Sequence, residues 1–172
     1  EETFNWNEVL IFVYLLISIL VLIKITIEVV SFFKSIQNQD RKNEENYTLI
    51  NSSQNENPFS FFNYIIINHQ QFSEEELNHI LIHESIHVKQ KHSFDVLFSR
   101  IICAILWVNP VIWFYRKAII QNLEFIADNE TFLTINNKSA YQKTLLKVVI
   151  NNNQSAITNQ FFQSLIKKRI VM

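Results

Sequence analysis

The stretch Ser73-Glu74-Glu75-Glu76-Leu77-Asn78-His79-Ile80-Leu81-Ile82-His83-Glu84-Ser85-Ile86-His87-Val88-Lys89-Gln90-Lys91 decides how the chain is read. Ser73 with Glu76 three residues on is a capping box, and Phe72 with Leu77 supplies the matching hydrophobic staple. A helix therefore starts at Ser73 and runs to about Lys91. On it His83 and His87 are four residues apart and share a face, so both imidazoles can reach one metal ion. Glu84 completes an HExxH pattern. It adjoins the first ligand, where it can touch a metal-bound water. Zinc lowers the pKa of such a water to about 7, and the carboxylate takes its proton.

A catalytic zinc needs a third protein ligand and one open position. Downstream, Glu124-Phe125-Ile126-Ala127-Asp128 sets two carboxylates four residues apart on one helix face. Glu124 is the candidate third ligand. Asp128 is the candidate acceptor for the far N–H of a ligand histidine, which would hold its tautomer. All five histidines lie between His69 and His92. His79 is two turns from His87, about 12 Å along the axis, too far for all three to meet one ion. It is read as a flanking residue. His92 is a candidate for a contact behind the ligands, and His69 falls in a loop. Tyr115 and Tyr141 are candidate oxyanion donors by their chemistry alone.

Composition narrows the alternatives. The 172 residues contain no glycine, where about 7% is usual. Phosphate-cradling loops and dinucleotide turns need glycines, so nucleotide chemistry of those kinds is excluded. The single cysteine, Cys103, excludes an internal disulfide and a multi-cysteine metal site, and reads as a small buried hydrophobe. A formal net charge of −1 provides no field for nucleic acid.

The N-terminal part reads as a membrane anchor. Val9 to Ile23 carries no charge, and the apolar character continues to Phe33, interrupted by Lys24 and Glu28. About 20 apolar residues suffice to cross a bilayer. Lys24 and Glu28, four apart, can pair on one face. Lys34, Arg41 and Lys42 follow the span and no basic residue precedes it, so the positive-inside rule places the N-terminus outside and the remainder in the cytoplasm. The division is then 1–36 for the transmembrane helix (about 9–33) with its flanks, 37–57 for a polar linker with one short strand at Tyr47–Ile50, and 58–172 for the catalytic domain. Phe59–Asn68 is aromatic and β-branched and reads as a strand or hairpin. Further helices are expected at about Phe94–Val108, from Pro110 to about Phe132, and from Ser139 or Ala140 to about Ile150, before a basic ending at Phe161–Met172. The apolar run Phe94–Tyr115 is long enough to cross a membrane. Crossing would put the histidines and Glu124 on opposite sides, so the run must break at Asn109–Pro110. The two halves then either pack in the core or dip into the membrane face. Trp107, Trp113, Arg100, Arg116 and Lys117 would suit the membrane interface.

HESIH at 83–87, WVNPVIWFYRK at 107–117 and LEFIAD at 123–128 together resemble the BlaR/MecR-type membrane zinc metallopeptidases of bacteria, within the gluzincin group. PFSFFNYIIIN at 58–68 and SLIKKRIVM at 164–172 extend the similarity over nearly the whole chain. The resemblance implies Zn²⁺ on His83, His87 and Glu124, Glu84 as general base, and Asp128 as the carboxylate behind the ligands. It also implies an edge strand that binds the substrate backbone, for which Phe59, Ser60, Phe61, Phe62, Asn63 and Tyr64 are the candidates. Family members usually have several spans and many carry an outward sensor. This chain shows one convincing span and reads as a segment of such a protein.

The expected fold class is mainly α with a small β element: a transmembrane helix followed by a helical gluzincin-like domain with a short edge strand or hairpin. The expected function is membrane-anchored zinc endopeptidase, in the bacterial inner membrane, acting in signal transduction on a cytoplasmic protein such as a repressor, or on itself within 37–57. Membrane lipid is an expected partner and nucleic acid is not. Two alternatives stay open: a non-proteolytic signalling relay with a structural zinc domain, and an HtpX/Ste24-type quality-control peptidase. Members of that second group insert membrane spans between the two motifs.

Overall fold

The computed structural model describes residues 5–53, 57–135 and 137–151. Helix α1, Trp6–Ser35, has 30 residues and so is about 45 Å long. Asn5 caps it by accepting from the Asn7 N–H. In its most apolar 18-residue window only 11% of residues are buried. A core helix of a soluble protein would be covered, whereas α1 is bare along most of its length. Among the described residues it is the one helix long and apolar enough to cross a membrane.

The foot of α1 stands on a four-stranded sheet. The strands are β1 (Arg41–Asn43), β2 (Thr48–Asn51), β3 (Phe59–Phe61) and β4 (Tyr64–Ile67), in the order β1-β2-β4-β3. The central pair β2–β4 is parallel, with Leu49 opposite Ile65 and Ile50 opposite Ile66, and the outer pairs are antiparallel. β4 reads Tyr-Ile-Ile-Ile without alternation because both its faces are covered. Leu49, Ile65 and Ile67 pack with Phe72, Ile80 and Val88. Ile50 and Ile66 pack with Ile36 and Phe32 at the end of α1. The segment 37–57, expected as a linker with one strand, instead supplies two strands. Arg41–Asn43 gives no sequence signal because all three residues are exposed on the sheet's outer edge. With 41–43 and 48–51 paired, self-cleavage there would first require the strands to part.

The expected hairpin at Phe59–Asn68 is present as β3, a turn at Phe62–Asn63, and β4. A chain without glycine must put other residues in left-handed conformations. Among the described residues these are Phe62 (φ 50°) and Lys91 (φ 57°), each at a cost of about 1–2 kcal/mol. Phe62 is held by its N–H donating to Ser93 Oγ at 2.8 Å and by rings packed from Phe33, Phe61 and Phe94.

Helices α2 (Glu74–Lys89), α3 (His92–Ile105), α4 (Pro110–Thr134) and α5 (Lys138–Asn151) complete the fold. The capping box at Ser73 and Glu76 forms as the sequence implies. The break at Asn109–Pro110 is also present: Asn109 accepts from the Val111 N–H at 3.0 Å and Pro110 opens α4. The run 94–115 therefore turns back as a helical hairpin beside α1. Arg100 on α3 pairs with Glu28 on α1, so Glu28 takes this partner rather than the expected Lys24. The Tyr14 hydroxyl donates to the Ile105 carbonyl, and the Tyr14 and Trp107 rings stack at 6.0 Å. Cys103 is buried, as expected. The outer face of the hairpin is not core: Phe98, Val108, Val111 and Phe114 are each more than 60% exposed. The basic ending 161–172 lies outside the described residues.

Candidate metal centre

The site forms where α2 meets α4. On α2, Ile80 and Val88 face the sheet while His79, His83 and Glu84 are buried away from solvent. On α4, Leu123, Ala127, Asp128 and Thr131 form the buried stripe, at the spacing of one helix face. These two faces bring Glu124 to the histidines from 37 or more residues away in sequence.

Ligand atoms of His83, His87 and Glu124 all lie within 4.8 Å of one another. The two Nε2 atoms are 3.2 Å apart. Glu124 Oε2 is 3.7 Å from His83 Nε2, and its Oε1 is 3.9 Å from His87 Nε2. Nitrogen and oxygen ligands about 2.0–2.1 Å from a tetrahedral ion stand roughly 3.3–3.5 Å from each other. The cluster thus has the size such an ion needs. The histidine side chains are 8% and 13% exposed and Glu124 is 33% exposed, so the cluster opens to solvent on the glutamate side. Glu84 is buried beside His83.

The charge balance also favours a cation. Burial opposes a charge on His83, but hydrogen bonds to Asp128 and Glu124 and the field of Glu84 outweigh it, and its pKa is pushed up to about 9. With His83 Nδ1 facing Asp128 and Tyr141, a proton on its Nε2 points at His87 Nε2. A bound cation would take the place of the proton shared between the two Nε2 atoms, which are 3.2 Å apart.

Behind the ligands, the Tyr141 hydroxyl on α5 donates to Asp128 Oδ1 and contacts His83 Nδ1, both at 2.8 Å. Asp128 itself reaches His83 Nδ1 at 3.3 Å. Asp128 and Tyr141 are 1% and 0% exposed. Tyr141 is therefore committed to orienting His83, and its expected availability as an oxyanion donor does not follow. Tyr115 is exposed and lines a groove between α3 and α4. His79 turns to Thr144 on α5 at 3.1 Å, apart from the cluster. His69 contacts Asn51 at 2.9 Å. His92 does lie behind a ligand, with its Nδ1 2.7 Å from His87 Nδ1. Sequence reasoning missed Tyr141 as an orienting residue and missed Gln90 altogether. Tyr141 carries no local signal, because its partners lie on other helices.

The BlaR1 peptidase M56 family model matches residues 2–172, and the chain belongs to that family. It is similar to the regulatory protein BlaR1 of Bacillus licheniformis, 30% identical over 110 residues, covering 58% of this chain and 18% of that protein. It is likewise similar to the regulatory protein BlaR1 of Staphylococcus aureus, 25% identical over 121 residues, covering 66% of this chain and 20% of that protein. The matched part is thus at most 20% of either relative's length.

Proposed function

We propose that this member of the BlaR1 peptidase M56 family is a membrane-anchored zinc endopeptidase. The observation that carries the reading is the convergence of His83 Nε2, His87 Nε2 and a Glu124 carboxylate at tetrahedral spacing beside a buried Glu84. When bound, zinc would supply Lewis acidity toward water and the scissile carbonyl. Glu84 takes the proton of the attacking water and delivers it to the leaving amine. Asp128 and Tyr141 hold His83 with its Nε2 toward the site. The 33% exposure of Glu124 leaves a side from which a peptide enters.

β3 is the substrate strand in this reading. It is an edge strand and lies against α2. In an antiparallel pair, residues alternate between bonded and non-bonded positions. A two-residue turn makes Phe61 and Tyr64 a bonded pair, so Ser60 directs its N–H and C=O to the open edge. An extended protein segment adds there by main-chain hydrogen bonds. A cytoplasmic protein such as a repressor, or a second copy of the chain, is the proposed substrate. The domain layout that goes with it puts the N-terminus of α1 outside, the catalytic part in the cytoplasm, and the exposed face of the α3–α4 hairpin in lipid beside α1.

The test is metal content and hydrolysis of the detergent-purified chain. About one zinc per chain is expected, lost on His83→Ala/His87→Ala. Glu84→Gln should keep the zinc and lose hydrolysis of a denatured protein substrate. A chain that takes up no zinc refutes the reading. Full hydrolysis in Glu84→Gln refutes the role of Glu84.

A further inference from the structure

Helix α2 stops at Lys89, and Lys91 takes a left-handed conformation (φ 57°, ψ 34°) before α3 begins at His92. That reversal folds His92 back over His87, five residues earlier. Their Nδ1 atoms are 2.7 Å apart and their rings are nearly perpendicular, at 75°. His92 Nε2 lies 2.9 Å from the Gln90 side-chain oxygen. The Gln90 side-chain amide nitrogen donates to Glu130 on α4. Four side chains from three segments thus form one continuous line that ends on a metal-site histidine.

The direction of the protons along this line follows from its carboxylate end. A carboxylate only accepts, so the Gln90 NH₂ must face Glu130 and the Gln90 oxygen must face His92. That oxygen only accepts, so His92 carries its proton on Nε2. A histidine that binds a metal through Nε2 carries its own proton on Nδ1, so at the 2.7 Å Nδ1···Nδ1 contact His92 Nδ1 is the acceptor, in a neutral ring. A neutral ring protonated on Nε2 has its lone pair on Nδ1. The short Nδ1···Nδ1 contact then requires the proton to belong to His87. His87 is left with its lone pair on Nε2, the atom that faces His83 and Glu124.

We propose that His92 and Gln90 are positioning residues that, anchored on Glu130, lock His87 in the Nδ1–H tautomer and so aim its Nε2 at the metal. The proposal rests on the reading of His87 as a ligand. It gives the two histidine ligands separate supports: Asp128 with Tyr141 for His83, and His92 with Gln90 for His87. It also explains why the chain accepts the cost of a left-handed lysine at residue 91.

The experiment uses the full chain in detergent, with the variants His92→Phe and His92→Asn. Phenylalanine keeps the ring and removes the acceptor. Asparagine keeps an acceptor oxygen close to the Nδ1 position. On the metal-free protein, ¹⁵N-histidine NMR reads the His87 tautomer directly. The parent and His92→Asn should show Nδ1–H, and His92→Phe should lose that preference. Zinc dissociation constants from chelator competition should rise about 10–100-fold in His92→Phe and stay within a few-fold of the parent in His92→Asn. An Nε2–H tautomer in the parent overturns the proposal. So does parental zinc affinity in His92→Phe, or an equal loss in both variants. If His92→Phe does not fold, the parent and His92→Asn tautomers decide. If the parent takes up no zinc, the peptidase reading fails while the tautomer measurement still decides the relay.

Discussion

Tyr141→Phe removes one oxygen from the most enclosed part of the site. Its hydroxyl joins His83 Nδ1 and Asp128 Oδ1, each at 2.8 Å, where both Tyr141 and Asp128 are shut off from water. Two effects follow from that geometry. Asp128 loses a donor that no water replaces, and a hydrogen bond to a charged group is worth about 1.5–3 kcal/mol. The metal-free chain should be destabilised by about that amount. His83 keeps a weaker support, because Asp128 remains 3.3 Å from its Nδ1. Supports behind metal ligands are worth about 10–100-fold in affinity, and with the carboxylate still present the lower end applies, so zinc affinity should fall about tenfold. Asp128→Ala removes the charge as well and should approach the upper end. The assays are denaturant unfolding of the metal-free chain and chelator competition for zinc. A stability change under about 0.5 kcal/mol, beyond which surface substitutions seldom go, together with unaltered zinc affinity would refute the account. Loss of hydrolysis alone, with stability and zinc binding intact, would place the hydroxyl on the substrate instead.

Zinc binding should depend on pH through His83. With a pKa of about 9 in the metal-free chain, His83 must release a proton to bind, so affinity should rise about tenfold per pH unit up to about pH 9; a plateau already reached near pH 7, as for an ordinary histidine, would contradict it. The sign for stability is opposite: the contribution of this raised pKa is complete below about pH 6.5 and is lost as the pH climbs through about 9, which denaturant unfolding of the metal-free chain measures. In vesicles with brominated acyl chains, Trp113, which is 50% exposed, should be quenched by the lipid in a Trp6→Phe/Trp107→Phe background; quenching by aqueous iodide alone would put the α3–α4 hairpin in water.

The regular elements were legible wherever their signal was local. The capping box, the strand-forming run Phe59–Asn68 and the Asn109–Pro110 break each depend on neighbours a few residues away, although the turn at Phe62–Asn63 within that run appears only in the structure. The outermost strand Arg41–Asn43 was not legible, because exposed on all sides it shows no alternation. The partner of Glu28 was misread for a related reason. Lys24 lies within reach along the helix, and only packing of α3 against α1 brings Arg100 nearer.

The sequence by itself determined two things about the site: that His83 and His87 share one helix face with Glu84 next to the first of them, and that a long apolar helix precedes them. Both are consequences of the 3.6-residue period and of hydropathy, which act over short range. The tertiary structure alone decided that Glu124, the candidate the sequence offered, comes within 3.7 and 3.9 Å of the histidines, that Tyr141 rather than Asp128 makes the shorter contact to His83, and that His92 turns back onto His87. Those contacts join separate helices, or reverse the chain through a left-handed lysine. Only the packing of α2 against α4 and α5 fixes the distances to the tenths of an ångström on which metal binding depends.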